Sequence, residues 1–385
     1  MDFEFTDDQV SLRDAVAKWV DKGLAFSRRH GIAKAGGKTR DVYTERAELG
    51  LTGLAGPESY GGMGFGAVEA MVVMEELGRG LVNAPYAAAA LVVPTLLSAA
   101  PDAVKAAWLP KIADASALVV PALQERGARY QLTHITPTAS QGLTDGVTNG
   151  VNGWTLSGQK HVVPAADEAD AFVVPARISG AVGDAAGIGL FLVETGATGV
   201  SVTGYPTQDG SRAGELKLAN AAATLISADG FALLEQAVDV GIAAACAEGV
   251  GAMDRMVAIT VDYMNTRKQF GVTLSTFQAL KHRIADVKMQ QELGRSMSYY
   301  ASLKLGEPAP QRRRALSQAK VQLGRSMRFV GQECTQIHGG IGVTDEYVSS
   351  HYFKRLTMLE MAYGDTLHHL GEVSARMQDT AGVFA

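Results

Sequence analysis

The chain has 385 residues, of which 35 are basic and 40 acidic, so its formal charge is −5. This net negative charge excludes a nucleic-acid carrier, because there is no basic excess to neutralise phosphates. Only 19% of residues are charged and 43 are glycines. That composition excludes disorder for most of the chain and suits closely packed helices, or a protein that buries surface in an oligomer.

The N-terminus, MDFEFTDDQV, starts acidic and lacks the apolar core of a signal peptide. The two cysteines, Cys246 and Cys334, lie far apart, which excludes a disulfide framework and a zinc ribbon and predicts a reducing compartment. The longest uncharged run, 81–101, contains two prolines and predicts two buried helical pieces rather than a membrane span. We therefore expect a cytoplasmic protein without a membrane segment.

Residues 1–116 predict an α-helical domain. Thr6 is a good N-cap ahead of two acidic residues, and a glycine-rich loop at 57–66 precedes a second predicted helix at 68–77. The first helix has an apolar stripe at helical spacing, formed by Val10, Leu12, Val16, Trp19 and Val20.

Residues 117–224 predict a small β-barrel or sandwich. Turn-forming pairs such as Asn149-Gly150 and Asn152-Gly153 separate short apolar runs. These runs lie at 117–123, 154–156, 171–174, 189–193 and 215–218.

Residues 225–385 predict a second helical domain. Its first helix is long and begins near residue 233, and further helices are predicted at about 275–305, 311–336 and 355–376. Small residues make the long helix slim, so another helix can approach it closely; they are Gly241, Ala244, Ala245, Gly249 and Ala252. The order of elements predicts an α+β fold with three domains.

Common enzymatic signatures are missing. No G-x-G-x-x-G follows a predicted strand, and there is no phosphate-binding loop, H-E-x-x-H or G-x-S-x-G. The eight histidines form no ligand cluster along the sequence. We therefore predict no metal.

Two segments combine glycines, aromatic residues and charge. The first, at 265–283, reads NTRKQFGVTLSTFQALKHR, and the second, at 336–347, reads QIHGGIGVTDEY. Each has a structural explanation, because an arginine complements a helix dipole and a glycine ends a helix. Each also has a functional one, because a guanidinium and glycine amides can bind an anionic ligand.

Taken together, R-K-x-F-G followed by F-Q, and Q-I-x-G-G-x-G ahead of E-Y, resemble the acyl-CoA dehydrogenase family along the entire chain. The resemblance implies a C-terminal four-helix bundle and FAD as cofactor. It also implies oxidation of an acyl-CoA to its 2,3-enoyl-CoA, in which a carboxylate removes the α-proton and the flavin accepts the β-hydride. In this family each FAD lies at a subunit interface.

The resemblance implies that the half of the site contributed to a neighbouring chain's FAD is intact. The residues it assigns to this role are Arg267, Phe270, Phe277, Gln278, Gln336, Gly339 and Gly340.

The half that would hold the chain's own flavin departs from the family pattern. The aromatic that packs on the flavin is replaced by Val162, and the threonine near the reactive nitrogen is replaced by Pro164, which has no N–H to donate. Segment 124–131 likewise replaces the usual T-E-P-x-x-G-S-D.

The usual catalytic glutamate is also absent. Its position corresponds to Tyr363, or to Gly364 after a shift of one residue, and the alternative position on the long helix is Gly241. Asp365 is the carboxylate nearest the first position and is the candidate base. Glu248, two turns beyond the alternative position, is predicted to be structural or interfacial.

Strings at 204–210, 328–332 and 351–356 resemble the small subunit of pimeloyl-CoA dehydrogenase and β chains of steroid side-chain acyl-CoA dehydrogenases. Some of these are α2β2 heterotetramers in which the α chain supplies the base. We therefore expect a β subunit that completes a catalytic partner's FAD site, acting on a bulky, steroid side-chain or dicarboxylic acyl-CoA. The alternatives are a self-sufficient homotetramer, as dehydrogenase or flavin oxidase, using Asp365, and a non-catalytic scaffold.

Overall fold

The computed structural model describes residues 4–142 and 153–377. The predicted turn Asn149-Gly150 and residue Asn152 lie outside these ranges. Among the described residues, the helices are α1 (Asp7–Gly23), α2 (Phe26–Lys34), α3 (Arg40–Glu45), α4 (Ala67–Arg79), α5 (Val93–Leu97), α6 (Asp102–Ala113), α7 (Phe231–Thr266), α8 (Gln278–Leu303), α9 (Ala309–His338), α10 (Val348–Met361) and α11 (Thr366–Ala375). The strands are β1 (Val119–Pro121), β2 (Thr138–Gln141), β3 (Trp154–Pro164), β4 (Ala171–Arg177), β5 (Ile188–Glu194), β6 (Val200–Pro206), β7 (Arg212–Ser227), β8 (Lys268–Gln269) and β9 (Val272–Thr273).

Contacts within the chain form two compact units. One comprises Met1–His30, Ala67–Val82 and Ile242–Ala385, and the other comprises Gly31–Gly66 and Asn83–Gly241. The three-domain division at residues 116 and 224 stays a prediction. In the described part of the chain, no helix is both long and apolar enough to cross a membrane.

Helix α1 begins as predicted. The Thr6 hydroxyl accepts a hydrogen bond from the Gln9 N–H, and the Gln9 side chain accepts one from the Thr6 N–H, which is a capping box. Val16 and Val20 are buried, whereas Val10 is exposed, so the predicted stripe was wrong at Val10.

The uncharged run at 81–101 is buried but is not two separate helical pieces. A π-helical stretch, Ala87–Val92, continues directly into α5, which contains Pro94. This segment packs with β1, β4 and β5 in a common apolar core.

The strands β1–β7 form one sheet that closes on itself. Its order is β1-β4-β2-β3-β7-β5, β4 also pairs with β5, and β6 adds to β7. Every residue of β4 is buried, as expected for a central strand of a small barrel. The prediction of a small β domain is confirmed, although β2 and β6 were not predicted.

The long helix α7 makes a close approach at Gly249, one of the small residues of the prediction, where a Cβ would lie 2.6 Å from Sδ of Met327 on α9. It makes a second close approach, to α4, at Gly251, which the prediction did not name. A Cβ on Gly251 would lie 1.7 Å from the Glu75 carbonyl oxygen, and one on Gly78 would lie 2.0 Å from that of Glu248, so α4 and α7 touch backbone to backbone. Helix α9 packs against α8, α10 and α11. The C-terminal helical bundle is therefore confirmed.

The single helix predicted at 355–376 was wrong. The chain forms α10 and α11 with a turn between them, because Tyr363 and Gly364 adopt positive φ values of 57° and 118°. A continuous α-helix cannot contain such residues.

Candidate functional site

The segment after α7 forms a small hairpin with a protruding aromatic side chain. The Arg267 N–H donates to the Tyr263 carbonyl at 2.8 Å, and strands β8 and β9 then pair. Phe270 lies at the tip with φ +54° and 92% of its surface exposed. A left-handed, exposed phenylalanine is unfavourable for an isolated chain, which indicates a binding role.

The other candidate residues of this segment lie beside Phe270. The ring of Phe277 meets that of Phe270 edge-on, with centroids 6.3 Å apart. Gln278 opens α8, and its side-chain amide nitrogen lies 3.4 Å from Nε2 of His282. The hairpin thus brings Arg267, Phe270, Phe277 and Gln278 to one surface.

The second glycine-rich segment follows the end of α9. Gly339 has φ +66° and ψ −140°, a conformation essentially restricted to glycine. Gly340 needs no such conformation, and a Cβ built on either glycine meets no atom within 4 Å. Nothing among the described residues therefore requires a glycine at position 340, and the open space beside it leaves room for a ligand or another chain.

Aromatic contacts connect the two segments. The rings of Tyr263, at the end of α7, and His338, at the end of α9, have centroids 4.6 Å apart. The ring of Tyr347 lies 5.2 Å from that of His338. Arg267 follows Tyr263 by one turn and Gln336 precedes His338 by two residues, so both candidate segments lie at the same end of the bundle.

In the β domain, Lys160 and Glu125 form a buried ion pair. Nζ of Lys160 lies 2.6 Å from Oε1 of Glu125, and Oε2 of Glu125 accepts hydrogen bonds from the backbone and hydroxyl of Thr136. Both charged side chains are buried, and burial lowers the pKa of Lys160 to about 8 against the opposing effect of Glu125. This pair joins β3 to the segment after β1.

The residues that replace the flavin contacts lie on an irregular part of β3. The β3–β7 register shifts between Lys160 and Val163, and Val162 is exposed with φ +51°. A bulge of this kind redirects side chains. Neither Val162 nor Pro164 offers the ring face or the hydroxyl donor of the family pattern.

Sequence reasoning missed a polar cluster beside this bulge. The Glu215 carboxylate pairs with Nδ1 of His161 and accepts a hydrogen bond of 3.1 Å from the Tyr205 hydroxyl. The pKa of Tyr205 is raised by burial and by Glu215. These residues come from three different strands, so no motif spacing could have revealed them.

The positions predicted for the catalytic base carry no available carboxylate. Burial, with a further contribution from Glu248 and an opposing one from Arg355, raises the pKa of Tyr363 to about 12, so its phenol stays protonated at neutral pH. A Cβ on Gly364 would lie 2.5 Å from Nε2 of His369.

Asp365, the candidate base, is the N-cap of α11. Its Oδ1 accepts the His368 N–H at 2.7 Å, which is the ordinary role of an aspartate at a helix start. On α7, the buried Glu248 carboxylate accepts a hydrogen bond of 2.6 Å from Nε of Arg355. The structure thus gives both acids structural contacts, and the catalytic role of Asp365 stays a prediction.

Lys320, a further residue that sequence reasoning missed, holds the turn between α10 and α11. Its fully buried ammonium donates to the carbonyls of Leu359, Glu360 and Gly364 at 2.7–3.0 Å. Burial lowers the pKa of Lys320 to about 8. The sequence did contain a signal for this buried role, because Lys320 stands among the apolar positions of α9.

Folding brings together His30, His351 and Asp345, which are distant in sequence. However, Nδ1 of His351 accepts a hydrogen bond of 2.7 Å from Arg29, and Nζ of Lys354 lies 3.0 Å from Asp345. Two cations at these groups disfavour a divalent metal ion.

Comparisons with known proteins give one consistent result. Models of the N-terminal, middle and C-terminal domains of acyl-CoA dehydrogenase match residues 6–116, 122–221 and 228–378. The probable acyl-CoA dehydrogenase YngJ of Bacillus subtilis is 27% identical over 94% of this chain and 96% of its own length. The acyl-CoA dehydrogenase FadE27 of Mycobacterium tuberculosis is 25% identical over 99% of this chain and 100% of its own.

Among solved structures, a variant of the Tcur3481–Tcur3483 steroid acyl-CoA dehydrogenase is 28% identical with a TM-score of 0.85, covering 98% of this chain and 99% of that one. The three family models together span nearly the whole sequence. The chain therefore belongs to the acyl-CoA dehydrogenase family of FAD-dependent oxidoreductases.

Proposed function

We propose that this chain is the β subunit of a heteromeric, FAD-dependent acyl-CoA dehydrogenase. It completes the FAD site of a catalytic partner chain and does not itself supply the base that removes the α-proton. The substrate is a bulky acyl-CoA with a steroid side chain or a dicarboxylic acyl group. The complex acts in the cytoplasm, where the two buried cysteines remain thiols.

The exposed surface at the ends of α7 and α9 carries this proposal. Phe270 extends into solvent in a strained conformation, and no atom of residues 4–142 or 153–377 fills the space where a Gly340 side chain would lie. Both features are unexplained in a monomer and become explicable if a cofactor held by another chain lies against this surface.

The same surface has the donor chemistry that one end of FAD requires. The Arg267 guanidinium can neutralise a pyrophosphate, and glycine amides can approach its oxygens closely. The Phe270 ring offers a face on which an adenine can stack. FAD, when bound, supplies the hydride acceptor; the contribution of this chain is to bind and orient its nucleotide end.

The opposite half of the family site does not fit FAD or the reaction. Val162 and Pro164 provide no ring face and no donor, and Tyr363 stands where the family has a carboxylate. A phenol whose pKa is about 12 donates a hydrogen bond at neutral pH but does not accept a proton. The chain's own half therefore lacks its catalytic groups.

A relative of comparable length supports the heteromeric and steroid parts of the proposal. The Tcur3481–Tcur3483 structure carries two chain names and the description steroid acyl-CoA dehydrogenase. Its similarity to this chain extends over nearly the full length of both.

The test is to purify the chain alone and together with a catalytic acyl-CoA dehydrogenase chain encoded beside it, and to measure flavin per protomer. We expect no bound flavin in the lone chain. In the complex we expect half as many FAD molecules as protomers, together with acyl-CoA-dependent dye reduction. Replacing Arg267 by Gln should reduce flavin content, whereas Lys105→Gln, at an exposed ion pair with Asp102, should not.

Two outcomes contradict the proposal in different ways. A lone chain that binds stoichiometric flavin and oxidises an acyl-CoA is a self-sufficient enzyme, and Asp365→Asn should then abolish turnover if Asp365 is its base. A chain that recruits neither flavin nor acyl-CoA, even beside a partner, is a scaffold.

A further inference from the structure

His338 connects the two segments that the proposed FAD surface uses. It is the last residue of α9, immediately before Gly339. Its ring packs on Tyr263, with centroids 4.6 Å apart and planes 33° apart. The Tyr263 carbonyl accepts the Arg267 N–H, so His338 lies between the helix end that positions Arg267 and the glycines that follow α9.

The hydrogen bonds of His338 define one neutral tautomer. Nδ1 lies 2.8 Å from the Cys334 carbonyl, which can only accept, so Nδ1 carries the proton. Nε2 is buried and has no hydrogen-bond partner among the described residues. A second proton would therefore create a buried N–H without an acceptor and a buried charge.

The groups that face His338 do not compensate for such a charge. Tyr263 packs on it from α7, and Tyr347 from the segment before α10. The Ser349 hydroxyl on α10 lies 3.5 Å from Nδ1, and on α9 itself the contact is the Cys334 carbonyl. Asp262 acts electrostatically on Tyr347 and Glu333 on Cys334, but neither carboxylate contributes to the shift in the pKa of His338. Burial lowers the pKa of His338.

We propose that His338 is a positioning residue for FAD: its neutral ring fixes the spacing between Arg267 and the Gln336–Gly340 segment, and its protonation disrupts that spacing. This inference rests on the proposed function. Its consequence is that the nucleotide end of FAD is released on acidification, without any titration of FAD or of the residues that touch it.

The experiment measures FAD affinity of the complex with its catalytic partner, by flavin fluorescence, between about pH 7.5 and pH 5. Wild type should lose affinity as pH falls, by up to about tenfold per pH unit once His338 titrates. His338→Phe keeps an aromatic ring but cannot be protonated, so it should retain affinity at neutral pH and lose the acid dependence. His338→Ala should bind FAD roughly tenfold or more weakly than wild type at neutral pH, because the spacing is no longer fixed, and should show no further loss as pH falls.

Two controls separate the possible explanations. His134→Phe, in the loop before β2, should keep the wild-type pH profile. Urea unfolding of each flavin-free complex shows whether a variant has lost stability rather than positioning. An acid dependence that persists unchanged in His338→Phe overturns the role of His338.

Arg267→Gln distinguishes this inference from the proposed function. If Arg267→Gln leaves FAD affinity unchanged, the proposed function itself fails. If Arg267→Gln weakens binding but His338→Phe and His338→Ala both behave as wild type, only the positioning role of His338 fails.

Discussion

The surface at the ends of α7 and α9 and the turn between α10 and α11 differ in the contacts that their residues make within the chain. At the surface, Phe270 is 92% exposed and Gly340 faces open space. At the turn, Lys320 and His369 hold the backbone by hydrogen bonds that lie within the chain. The first region leaves side chains and space without contacts among the described residues, whereas the second is held by hydrogen bonds within the chain.

This difference helps to distinguish residues that are candidates for binding from residues that have a structural role. A strained residue that gains no stabilising contact within the chain is a candidate for a binding surface. Residues with a full set of internal contacts, such as Asp365 at its helix cap, have a structural reason to be present. The comparison can be tested from both sides.

The largest expected effect is at the self-contained turn. Lys320→Met leaves three carbonyls without their donor, so we expect it to lower the free energy of unfolding by about 3–5 kcal/mol. Urea denaturation measures this loss. Lys304→Met, at the exposed pair with Glu307, is the matched control and should cost far less, because an ion pair in solvent contributes little to stability. A similarly small loss for Lys320→Met would show that the turn does not depend on the three hydrogen bonds of the Lys320 ammonium.

At the exposed surface, Phe270→Ala should affect binding and not folding. Loss of a ring that stacks on a base should weaken FAD binding to the complex by about 1–3 kcal/mol. The free energy of unfolding should change by no more than about 0.5 kcal/mol, because the side chain is exposed. Val182→Ala, another exposed apolar residue, should change neither quantity. Reduced stability with unchanged FAD affinity would assign Phe270 to folding.

His369 makes the stability of the turn between α10 and α11 depend on pH. His369 is buried and neutral: Nε2–H donates to the Tyr363 carbonyl, and Nδ1 accepts from the Ser317 hydroxyl. Burial lowers its pKa to about 3, with smaller contributions from Lys320 and His368. Below about pH 6.5 the unfolded chain binds a proton that the folded chain does not, so stability is lost as pH falls, by about 1.4 kcal/mol per unit.

His369→Gln should remove this contribution. Between about pH 7.5 and pH 5, wild type should lose about 2 kcal/mol more than the variant, as measured by urea unfolding at both pH values. His134→Gln should not reduce the slope. Equal slopes for wild type and His369→Gln would mean that His369 is already charged in the folded turn.

Local signals predicted much of the fold from the sequence. The N-cap at Thr6, the small residues of α7 and the apolar runs of β4 and β5 depend on neighbours in the chain, and the structure contains all three. Strands β2 and β6 were missed because TASQ and VSVTGYP contain no buried apolar run. The break between α10 and α11 was missed because the helical periodicity continues across it.

The candidate site was less predictable than the fold. The family resemblance predicted a role for Arg267, Gln336 and the two glycines, because each motif lies within one segment. Other contacts join residues distant in sequence. Glu215 pairs with His161 and Tyr205, and Lys320 donates to the turn between α10 and α11. Such contacts depend on register and helix packing, which a single sequence does not specify.

The smallest expected effect is on activity, when a carboxylate is restored at the base position. If the missing glutamate were the only defect, Tyr363→Glu would give the lone chain acyl-CoA-dependent dye reduction. We expect no activity, because Val162 and Pro164 still offer the flavin neither a ring face nor a donor. Tyr363→Phe controls for loss of the phenol. Turnover by Tyr363→Glu alone would show that the missing glutamate is the only defect in the chain's own half of the site. The functional difference between the two regions would then depend on a single residue.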